Sequence, residues 1–467
     1  MKRRDFLITS SAALGTSVFA GGVTSLGLSV LRAATPTKTD LTIQKASFQL
    51  RDKLTQNMVS LSPNTPPPVL YGEQGKPMIL NVTNTLNEYT AMHWHGLRIP
   101  NKMDGVPYLT QLPIGEGETF KYQFTPPDAG TYWYHPHCMT MTQMASGLTG
   151  VMVIKEPIDI GFDSEQIINL KDFKLNKEDQ LKKPYSLRAA ARAGTTGNVM
   201  TANWQKAPIY NHKAGSLVRL RIANTDTTRI YALHLSKTQS KIIAWDGHPI
   251  DQEIAIPTED TPLLLGPGQR VDIACQMPSN EGERIDLFAK VRGKTNLMAS
   301  LQANGTDQKR DLRELKPLPK NPLIEPDLKS AETHELIFGW SPDGTLPNNG
   351  FCGSLGNNFW SINRKAWPGD KADGTQPLAT LKMGKSYILR LRNSSPNLHP
   401  IHLHGLVFKP LKSNKRKIPA NWTDTILLLK NETIDIALIA DNPGDWAFHC
   451  HVIEHQKTGL AGYIRVE

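Results

Sequence analysis

The chain has 467 residues, which is too long for one hydrophobic core and long enough for about three domains of roughly 100–200 residues each. Its 35 glycines and 33 prolines, together with few long helical patterns, favour an all-β protein over a helical one. The net charge of +10 is a modest excess that is typical of a solvated surface, so nucleic acid is not an expected partner.

The N-terminal segment, residues 1–34, has the pattern of an export signal. Arg3 and Arg4 precede a short apolar stretch, and paired arginines in this position are typical of the twin-arginine route. A membrane anchor is the alternative, but no run in the chain reaches the roughly 20 apolar residues that span a bilayer. We therefore predict export by the twin-arginine machinery, a periplasmic location and no stable membrane span in the mature chain.

One strand pattern occurs three times. A glycine, alternating apolar residues and a final asparagine nine residues on occupy residues 75–84, 215–224 and 384–393. Alternation of this kind predicts a strand with one buried face, so Arg219 and Arg221 of the second copy should face outward.

Ten of the fourteen histidines lie in four short clusters. They are His93, His95, His135, His137, His399, His402, His404, His449, His451 and His455. Cys450 lies inside the last cluster. Because residues i and i+2 of a strand point to the same side, each His-x-His sends both imidazoles off one face. Imidazoles beside a thiolate favour copper, zinc or iron.

The clusters follow the repeats. A His-x-His-Gly begins nine residues after the asparagine of the first and third copies, whereas Leu233 and Leu235 occupy these positions in the second. We therefore predict three β-sandwich domains, at residues 40–156, 160–305 and 330–467, with a linker at residues 306–329 before the third. The middle domain lacks ligands, and metal binding by the outer two requires the two ends of the chain to meet.

The order and spacing of these clusters resemble the copper motifs of the multicopper oxidases, which include laccases and bacterial copper-efflux oxidases. The resemblance covers residues 40–467 and is strong in Trp94-His95-Gly96-Leu97 and in Tyr132-Trp133-Tyr134-His135-Pro136-His137. It implies three cupredoxin-like Greek-key sandwiches, with a trinuclear copper cluster between domains 1 and 3. It also implies four copper ions, and donor oxidation coupled to reduction of O2 to water.

The resemblance implies a ligand set for each ion. A type 1 copper would take His399, Cys450 and His455; a type 2 copper His93 and His402; one type 3 copper His95, His135 and His451; the other His137, His404 and His449. Because His449 and His451 flank Cys450, electrons that enter at the type 1 site would have a short covalent path to both type 3 ions.

Four further positions bear on the chemistry. Leu460, ten residues past the cysteine, would be a non-coordinating axial residue that raises the type 1 potential. Asp104 matches the family's proton donor near the trinuclear cluster, and the alternative is a turn-forming Asp-Gly. Gln456 replaces a second family acid, and the role of Glu454 beside it could be only to orient the loop.

The electron donor is less well defined by the sequence. Residues 270–400 contain only three methionines, so the Met-rich lid of efflux oxidases is not expected. An uncovered type 1 edge and an axial leucine favour phenols and a laccase-like activity. The alternative is a cuprous or ferrous metallo-oxidase, because Met139, Met141 and Met144 could bind Cu(I) as well as fill a core.

Two further classes of copper protein fit the ligand pattern less well. A non-enzymatic copper-binding or division-associated cupredoxin protein would have lost ligands that are present here. A copper nitrite reductase lacks the paired type 3 clusters. The complete set of ten histidines with Cys450 therefore favours an oxidase over both classes.

The sequence leaves two smaller points open, which are the pairing of the spare cysteines and the role of one basic run. Among Cys138, Cys275 and Cys352 one disulfide can form, but the sequence does not assign it. The basic run indicates a solvated loop or a docking patch for anionic substrates, and it consists of Lys409, Lys412, Lys415, Arg416 and Lys417.

Overall fold

The computed structural model describes residues 36–236, 238–340, 342–343, 357–369 and 375–467. The predicted signal, residues 1–34, and Cys352 lie outside these ranges. Residues 36–467 form one compact unit. Among the described residues, no helix has both the length and the apolar character needed to cross a bilayer.

The first pair of sheets spans residues 37–155. Its elements are β1 (Thr37–Phe48), β2 (Thr55–Ser60), β3 (Leu70–Glu73), β4 (Met78–Asn84), β5 (Met92–His95), a 3-10 helix (Asn101–Met103), β6 (Thr119–Phe124), β7 (Gly130–Pro136), α1 (Thr140–Ala145) and β8 (Gly150–Lys155). The strand orders are β2-β1-β4-β6 and β3-β8-β7-β5. Alternate apolar residues of the two sheets, such as Leu80 and Trp94, face each other in one core.

The second pair of sheets spans residues 164–304. Its elements are β9 (Ser164–Phe173), α2 (Leu187–Ala190), β10 (Val199–Ala202), β11 (Ile209–Lys213), β12 (Leu217–Asn224), β13 (Tyr231–Leu235), β14 (Ser240–Trp245), β15 (His248–Pro249), β16 (Leu263–Leu265), β17 (Arg270–Gln276), β18 (Arg284–Val291) and β19 (Lys294–Asn304). The strand orders are β10-β9-β12-β17-β14-β15 and β11-β19-β18-β13-β16. A second core lies between them.

The third pair of sheets spans residues 332–466. Its elements are β20 (Glu332–Trp340), β21 (Trp360–Ile362), β22 (Ala379–Leu381), β23 (Ser386–Asn393), β24 (His399–Leu403), β25 (Lys409–Ser413), β26 (Thr425–Leu428), β27 (Thr433–Ile439), β28 (Gly444–Cys450), α3 (Ile453–Gln456) and β29 (Ala461–Val466). The strand orders are β21-β20-β23-β27-β25 and β22-β29-β28-β24-β26. The third core contains both Cys450 and Leu460.

The three repeat segments occupy equivalent places. β4, β12 and β23 each pair in parallel with the first strand of their own sheet, which is β1, β9 or β20. On its other side each pairs antiparallel, with β6, β17 or β27. The sequence repeat is therefore also a repeat of topology, and each sheet pair lies almost entirely within one of the ranges predicted for the domains.

The final asparagine of each repeat is a buried clamp, at Asn84, Asn224 and Asn393. Each Nδ2 donates to two backbone carbonyls, and each Oδ1 accepts from the backbone N–H two residues on. The clamp closes the loop that follows the strand, which explains why the same residue type stands at the end of all three copies.

The outward orientation expected for Arg219 and Arg221 is contradicted by their burial. The alternation itself is present, but the polar face of β12 is covered by the first pair of sheets. Both guanidinium groups contact Asp272, and Arg221 also donates to the Thr131 hydroxyl of β7. A sequence pattern predicts that one face is polar, but it does not say whether another sheet covers that face.

The segment predicted as a linker, residues 306–329, packs along the other elements. It includes a 3-10 helix (Leu312–Glu314), which Asp311 caps through its side chain. Asn321 is buried, and its amide contacts both backbone groups of Ala129 and the imidazole of His248. These contacts hold the segment against the first two pairs of sheets.

Candidate metal centre

Two pairs of neighbouring strands carry the His-x-His motifs. β5 and β7 run antiparallel with His93 opposite His135, and β24 and β28 run antiparallel with His402 opposite His449. Each motif lies at or just beyond the end of its strand, and its two imidazoles leave the same face of the sheet.

The N-terminal and C-terminal motifs meet face to face. The ring of His95 stacks on that of His402 with 3.6 Å between centroids, and the ring of His93 stacks on that of His404 at 3.9 Å. These partners are more than 300 residues apart in the chain. The two ends of the chain therefore come together as the spacing of the clusters requires.

We call the eight imidazoles at this junction the histidine cluster. It consists of His93, His95, His135, His137, His402, His404, His449 and His451, all of which are buried. Ligand atoms of three subsets lie within 4.8 Å of one another: His93 with His402 and His404, His93 with His95 and His135, and His137 with His404 and His449. The ring of His451 lies 5.0 Å from that of His95 and 5.2 Å from that of His135.

Backbone carbonyls set the tautomer of four rings. Nδ1 of His93 lies 2.7 Å from the carbonyl of Asp104, and Nδ1 of His402 lies 2.9 Å from that of Asp424. Nδ1 of His135 and His449 each lies 3.0 Å from a neighbouring carbonyl. A carbonyl only accepts, so Nδ1 carries the proton and the lone pair is left on Nε2.

Several of the remaining ring nitrogens have no hydrogen-bond partner although they are buried. They are Nε2 of His93, His135 and His402, Nδ1 of His95 and His137, and both nitrogens of His451. Buried polar atoms are normally satisfied, so a concentration of orphaned lone pairs at one point indicates a missing cation. The donor set fits transition-metal ions that bind imidazole nitrogen.

A second group, which we call the cysteine site, consists of His399, Cys450 and His455. Nδ1 of each imidazole lies 3.5 Å from Sγ, and the two Nδ1 atoms lie 3.1 Å apart. A trigonal ion with bonds of about 2.0–2.3 Å requires ligand separations of about 3.5 Å, so the triangle has nearly the required size. Burial of all three residues excludes water from it.

Burial also prepares these groups for a metal. It lowers the pKa of His449 and of His455 to about 3, so both imidazoles are neutral near pH 7 and keep a free lone pair. Burial raises the pKa of the Cys450 thiol, and a bound cation would therefore have to displace its proton.

Asp104 lies beside the histidine cluster. Its Oδ2 accepts from Nδ1 of His404 at 2.9 Å, and its Oδ1 lies 3.2 Å from Nδ1 of His93. The Asp-Gly turn is present as well, because Gly105 has a φ of +81° and a Cβ there would meet the carbonyl of Met92. The turn thus delivers the carboxylate to the two imidazoles.

Asp424 is a site residue that the sequence motifs do not single out. It is buried, and its Oδ1 lies 3.1 Å from Nε2 of His95 and 3.3 Å from Nδ1 of His402. Burial alone would raise its pKa, but Arg270, followed by hydrogen bonds from His402 and His95, lowers it well below the usual range. The available signal is an acidic residue at the start of the apolar segment Thr423–Leu429.

The methionines, the glutamine and the cysteines that the sequence motifs also indicate lie in packed parts of the structure. Met141 and Met144 are buried against Trp133 and Ile453, which is the core role considered for them. Gln456 lies with its Nε2 3.4 Å from Nε2 of His137. Cys138 is disulfide-bonded, whereas Cys275 and Cys450 are free and buried.

The basic run is mostly neutralised by acidic partners. Lys409 contacts Asp251 and Glu325, Lys412 contacts Asp435, and Arg416 contacts Glu432. Three of its five cations are therefore engaged within the protein, which favours the interpretation as a solvated loop over a docking patch.

Comparison with known proteins identifies the family. Sequence profiles described as multicopper oxidase match residues 42–159 and 353–467. The crystal structure of a multi-copper oxidase from Pseudomonas thermotolerans is 36% identical with a TM-score of 0.83, and the match covers 93% of this chain and 100% of that one. The chain belongs to the multicopper oxidase family.

Two further relatives extend the comparison. The oxidase is 28% identical to Multicopper oxidase MmcO of Mycobacterium tuberculosis, over 98% of this chain and 93% of the relative. A Campylobacter jejuni multicopper oxidase, described as a metallo-oxidase, is 25% identical with a TM-score of 0.76, covering 93% of this chain and 94% of that one. The predicted family and the all-β fold of cupredoxin-like sandwiches are confirmed, and copper is the metal that the family binds.

The cysteine site of the oxidase is covered, which contradicts the expected open edge. Nε2 of His455 donates to the carbonyl of Arg192 at 2.6 Å, and His455 has no exposed surface. The covering residues come from the second pair of sheets, between β9 and β10. The Met-rich lid that the sequence argues against would have lain within residues 270–400, and the covering segment lies outside that range.

Proposed function

We propose that this oxidase is laccase-like and takes single electrons from small organic donors such as phenols at a type 1 copper held by the cysteine site. Copper bound by the histidine cluster would accept these electrons and supply the chemistry that reduces O2 to water. Each phenol releases one electron and one proton, and four of each convert one O2 into two waters. The observation that carries this proposal is the run His449-Cys450-His451, which joins both sites through consecutive residues.

We further propose the copper assignment that the family resemblance implies. One ion is held by His399, Cys450 and His455, a second by His93 and His402, and two more by the remaining six imidazoles. Bound copper supplies the one-electron redox chemistry. The protein fixes the tautomer of four imidazoles through backbone carbonyls and buries both sites.

Asp104 is the proposed proton donor to the site of O2 reduction. Its carboxylate contacts His404 and His93, so it lies against the cluster and is also a group that orients two ligands. Gln456 stands where the family resemblance implies an acid, and its amide cannot carry a proton between solvent and the cluster. Proton delivery here therefore depends more on Asp104.

Charge and ligand type at the covered cysteine site favour organic donors over metal ions. Residues 182–198 contain no Met, Cys, His, Asp or Glu, so this covering region offers no soft or acidic ligand for Cu(I) or Fe(II). The region does contain Lys182, Lys183, Arg188 and Arg192. Cations near the approach repel a metal ion and attract phenolate.

A cuprous or ferrous metallo-oxidase is the second candidate, and the Campylobacter jejuni relative described as a metallo-oxidase favours it. A copper carrier without turnover would not require both the cysteine site and the complete histidine cluster. Export by the twin-arginine route and a periplasmic location are part of the proposal and rest on residues 1–34.

Turnover of three donors by fully copper-loaded protein tests this function. We expect hydroquinone to be oxidised with a higher kcat/KM than Cu(I) or Fe(II), together with blue thiolate-to-copper absorption. A strong preference for Cu(I) with negligible hydroquinone oxidation would transfer the assignment to the metallo-oxidase class. Absence of the blue colour in copper-loaded protein would contradict the type 1 assignment itself.

A further inference from the structure

The segment that covers the cysteine site, residues 186–195, is here called the cap. It begins at Ser186, which caps the short helix α2, and continues as a loop to Thr195. The cap belongs in sequence to the second pair of sheets and packs in part on Thr228 there, but its hydrogen bonds to other elements are with residues of the third pair, at or beside the cysteine site. It therefore lies over a site to which it contributes no side-chain ligand.

Three polar contacts close the cap. Nε1 of Trp360 donates to the carbonyl of Ala190 at 2.7 Å, and the Trp360 ring packs 4.6 Å from that of His455. Nε2 of His455 donates to the carbonyl of Arg192. The third contact is made by Glu454, the residue directly before His455, with both Ser186 and Thr195.

Glu454 holds the cap by an unusual arrangement. Its carboxylate is buried, yet every hydrogen bond that it accepts from the described residues comes from the cap: from the backbone N–H groups of Ser186 and Thr195 and from the Thr195 hydroxyl. Hydrogen bonds to a carboxylate are stronger than those to a neutral acceptor. Gly194 has a φ of +80° and packs so closely that a Cβ would meet Glu454 and Val452.

Apolar contacts bind the cap only weakly. Ala190 is the cap residue whose side chain is buried in the described structure, whereas Leu187 is 47% exposed and Arg188 and Arg192 are exposed. A segment with little buried apolar surface opens at low cost without disturbing the cores of the sheets. Its closure therefore depends on the polar contacts, and above all on Glu454.

We propose that the cap is a gate over the cysteine site and that Glu454 is the positioning residue that holds it closed. The closed cap keeps organic donors away from His455, and they reach this imidazole only while the cap is open. The gate sets which donors are oxidised: bulky phenols depend most on opening. This inference rests on the proposed laccase-like function for its substrate class but not for the motion of the cap.

Thr195→Val removes one hydrogen bond to Glu454 and tests the gate. We expect about a tenfold larger open fraction and the same rise in kcat/KM for syringaldazine, a bulky phenol. Oxidation of hexacyanoferrate(II), which transfers electrons without touching His455, should change much less. Thr196→Val is the matched control, because the Thr196 hydroxyl donates none of the hydrogen bonds that Glu454 accepts.

Tryptic cleavage gives a readout that needs neither copper nor turnover. Arg188 and Arg192 lie on the cap, and their cleavage in folded, metal-free protein follows the open fraction when opening is fast. We expect Thr195→Val to accelerate both cuts about tenfold, as identified by mass spectrometry, and Thr196→Val to leave them unchanged.

Each outcome decides one part of the proposal. Unchanged cleavage would show that Glu454 does not hold the cap, and faster cleavage with unchanged syringaldazine kinetics would show that the cap is not a gate. An equal rise for hexacyanoferrate(II) would indicate an altered redox potential instead. If no variant oxidises phenols, the laccase assignment fails while cleavage still tests the closure of the cap. Should Thr195→Val misfold, Trp360→Phe removes the hydrogen bond to Ala190, and faster tryptic cleavage of its metal-free form is expected in the same way.

Discussion

At the scale of single residues, the imidazoles of the histidine cluster are fixed by contacts that the His-x-His spacing does not encode. The spacing predicted which face each ring leaves. The carbonyls of Asp104 and Asp424, which determine the tautomers of His93 and His402, are provided by loops elsewhere in the chain. Their carboxylates contact further rings, so each aspartate orients two potential ligands with one residue.

Leu460→Met tests the axial position. Leu460 is buried, and its carbonyl accepts from the Cys450 N–H at 3.0 Å, which places it next to the cysteine site. A thioether that stabilises the oxidised ion tenfold would lower the type 1 potential by about 59 mV. Redox titration of the blue band measures it, with Leu389→Met in the same core as control. An unchanged or raised potential would contradict the axial assignment.

Asp424→Asn should weaken metal retention in the histidine cluster. It removes the charge that faces His95, His402 and Arg270, and loss of such a supporting group typically lowers metal affinity about 10–100-fold. Copper analysis and the type 2 electron paramagnetic resonance signal measure the loss, while the blue absorption should remain. Asp246→Asn is the control, because Asp246 also pairs with Arg270 but contacts no imidazole of the cluster.

Asp104→Asn separates proton delivery from ligand orientation. The amide oxygen of Asn can still accept from His404, so the copper content should be preserved, but the side chain can no longer donate a carboxyl proton. We expect slower O2 consumption, by about 10²–10⁴-fold, with the blue absorption intact. Undiminished O2 consumption would rule out the proposed role as proton donor.

At the scale of elements, the asparagine clamp links a repeated strand to a site that only the third copy possesses. Asn393 accepts from the backbone and hydroxyl of Ser395, and this hydroxyl contacts Nε2 of His399 at 2.8 Å. The second copy has the same clamp at Asn224 but Ile230 at the position that matches His399. The clamp is therefore a structural device that the cysteine site also uses.

Asn393→Ala and Asn224→Ala form a matched pair. Each leaves two carbonyls without a donor, buried ones for Asn224 and partly buried ones for Asn393, so each should lower the free energy of unfolding by about 1–3 kcal/mol. Only Asn393→Ala should also shift or abolish the blue absorption, because it frees Ser395 and His399. Urea unfolding followed by tryptophan fluorescence, with visible spectra of the copper-loaded proteins, makes the comparison. Equal spectra in both variants would contradict this link.

At the scale of the whole molecule, equivalent residues of two repeats have different surroundings. Arg221 pairs with Asp272 across β12 and β17, and Arg390 pairs with Asp435 at the same repeat position across β23 and β27. Arg221 is buried beneath the first pair of sheets, but the side chain of Arg390 is 41% exposed. The same sequence feature is thus part of an interface in one copy and of the surface in the other.

Asp272→Asn should be far more destabilising than Asp435→Asn. The first removes the buried carboxylate that both guanidinium groups share, and each keeps one other partner, Glu156 or Glu165. We expect a cost of up to about 3–5 kcal/mol, whereas the second disturbs a pair whose arginine is 41% exposed and which is worth about 0–1 kcal/mol. Urea unfolding of both variants at neutral pH measures the difference. Similar losses would show that the interface does not depend on this ion cluster.

The ion pairs of Asp272 also predict how the stability of the protein depends on pH. Burial alone would raise the pKa of Asp272, but Arg219 and Arg221 lower it below the unfolded value. Its stabilisation is therefore full above the unfolded pKa of about 3.9 and disappears as the pH falls through the folded value. Acid unfolding of Asp272→Asn should accordingly lose steepness below about pH 4 relative to the wild type.

The sequence by itself determined the all-β class, the three repeats, the ten histidines with Cys450 and the family, because strand periodicity and ligand spacing are local properties. Only the tertiary structure decided that Asp424 contacts the cluster, that Arg219 and Arg221 are buried, and that residues 186–195 cover His455. These features depend on which surfaces of distant segments pack together. No short-range pattern contains that information, since the contacts join residues from 22 to 329 positions apart.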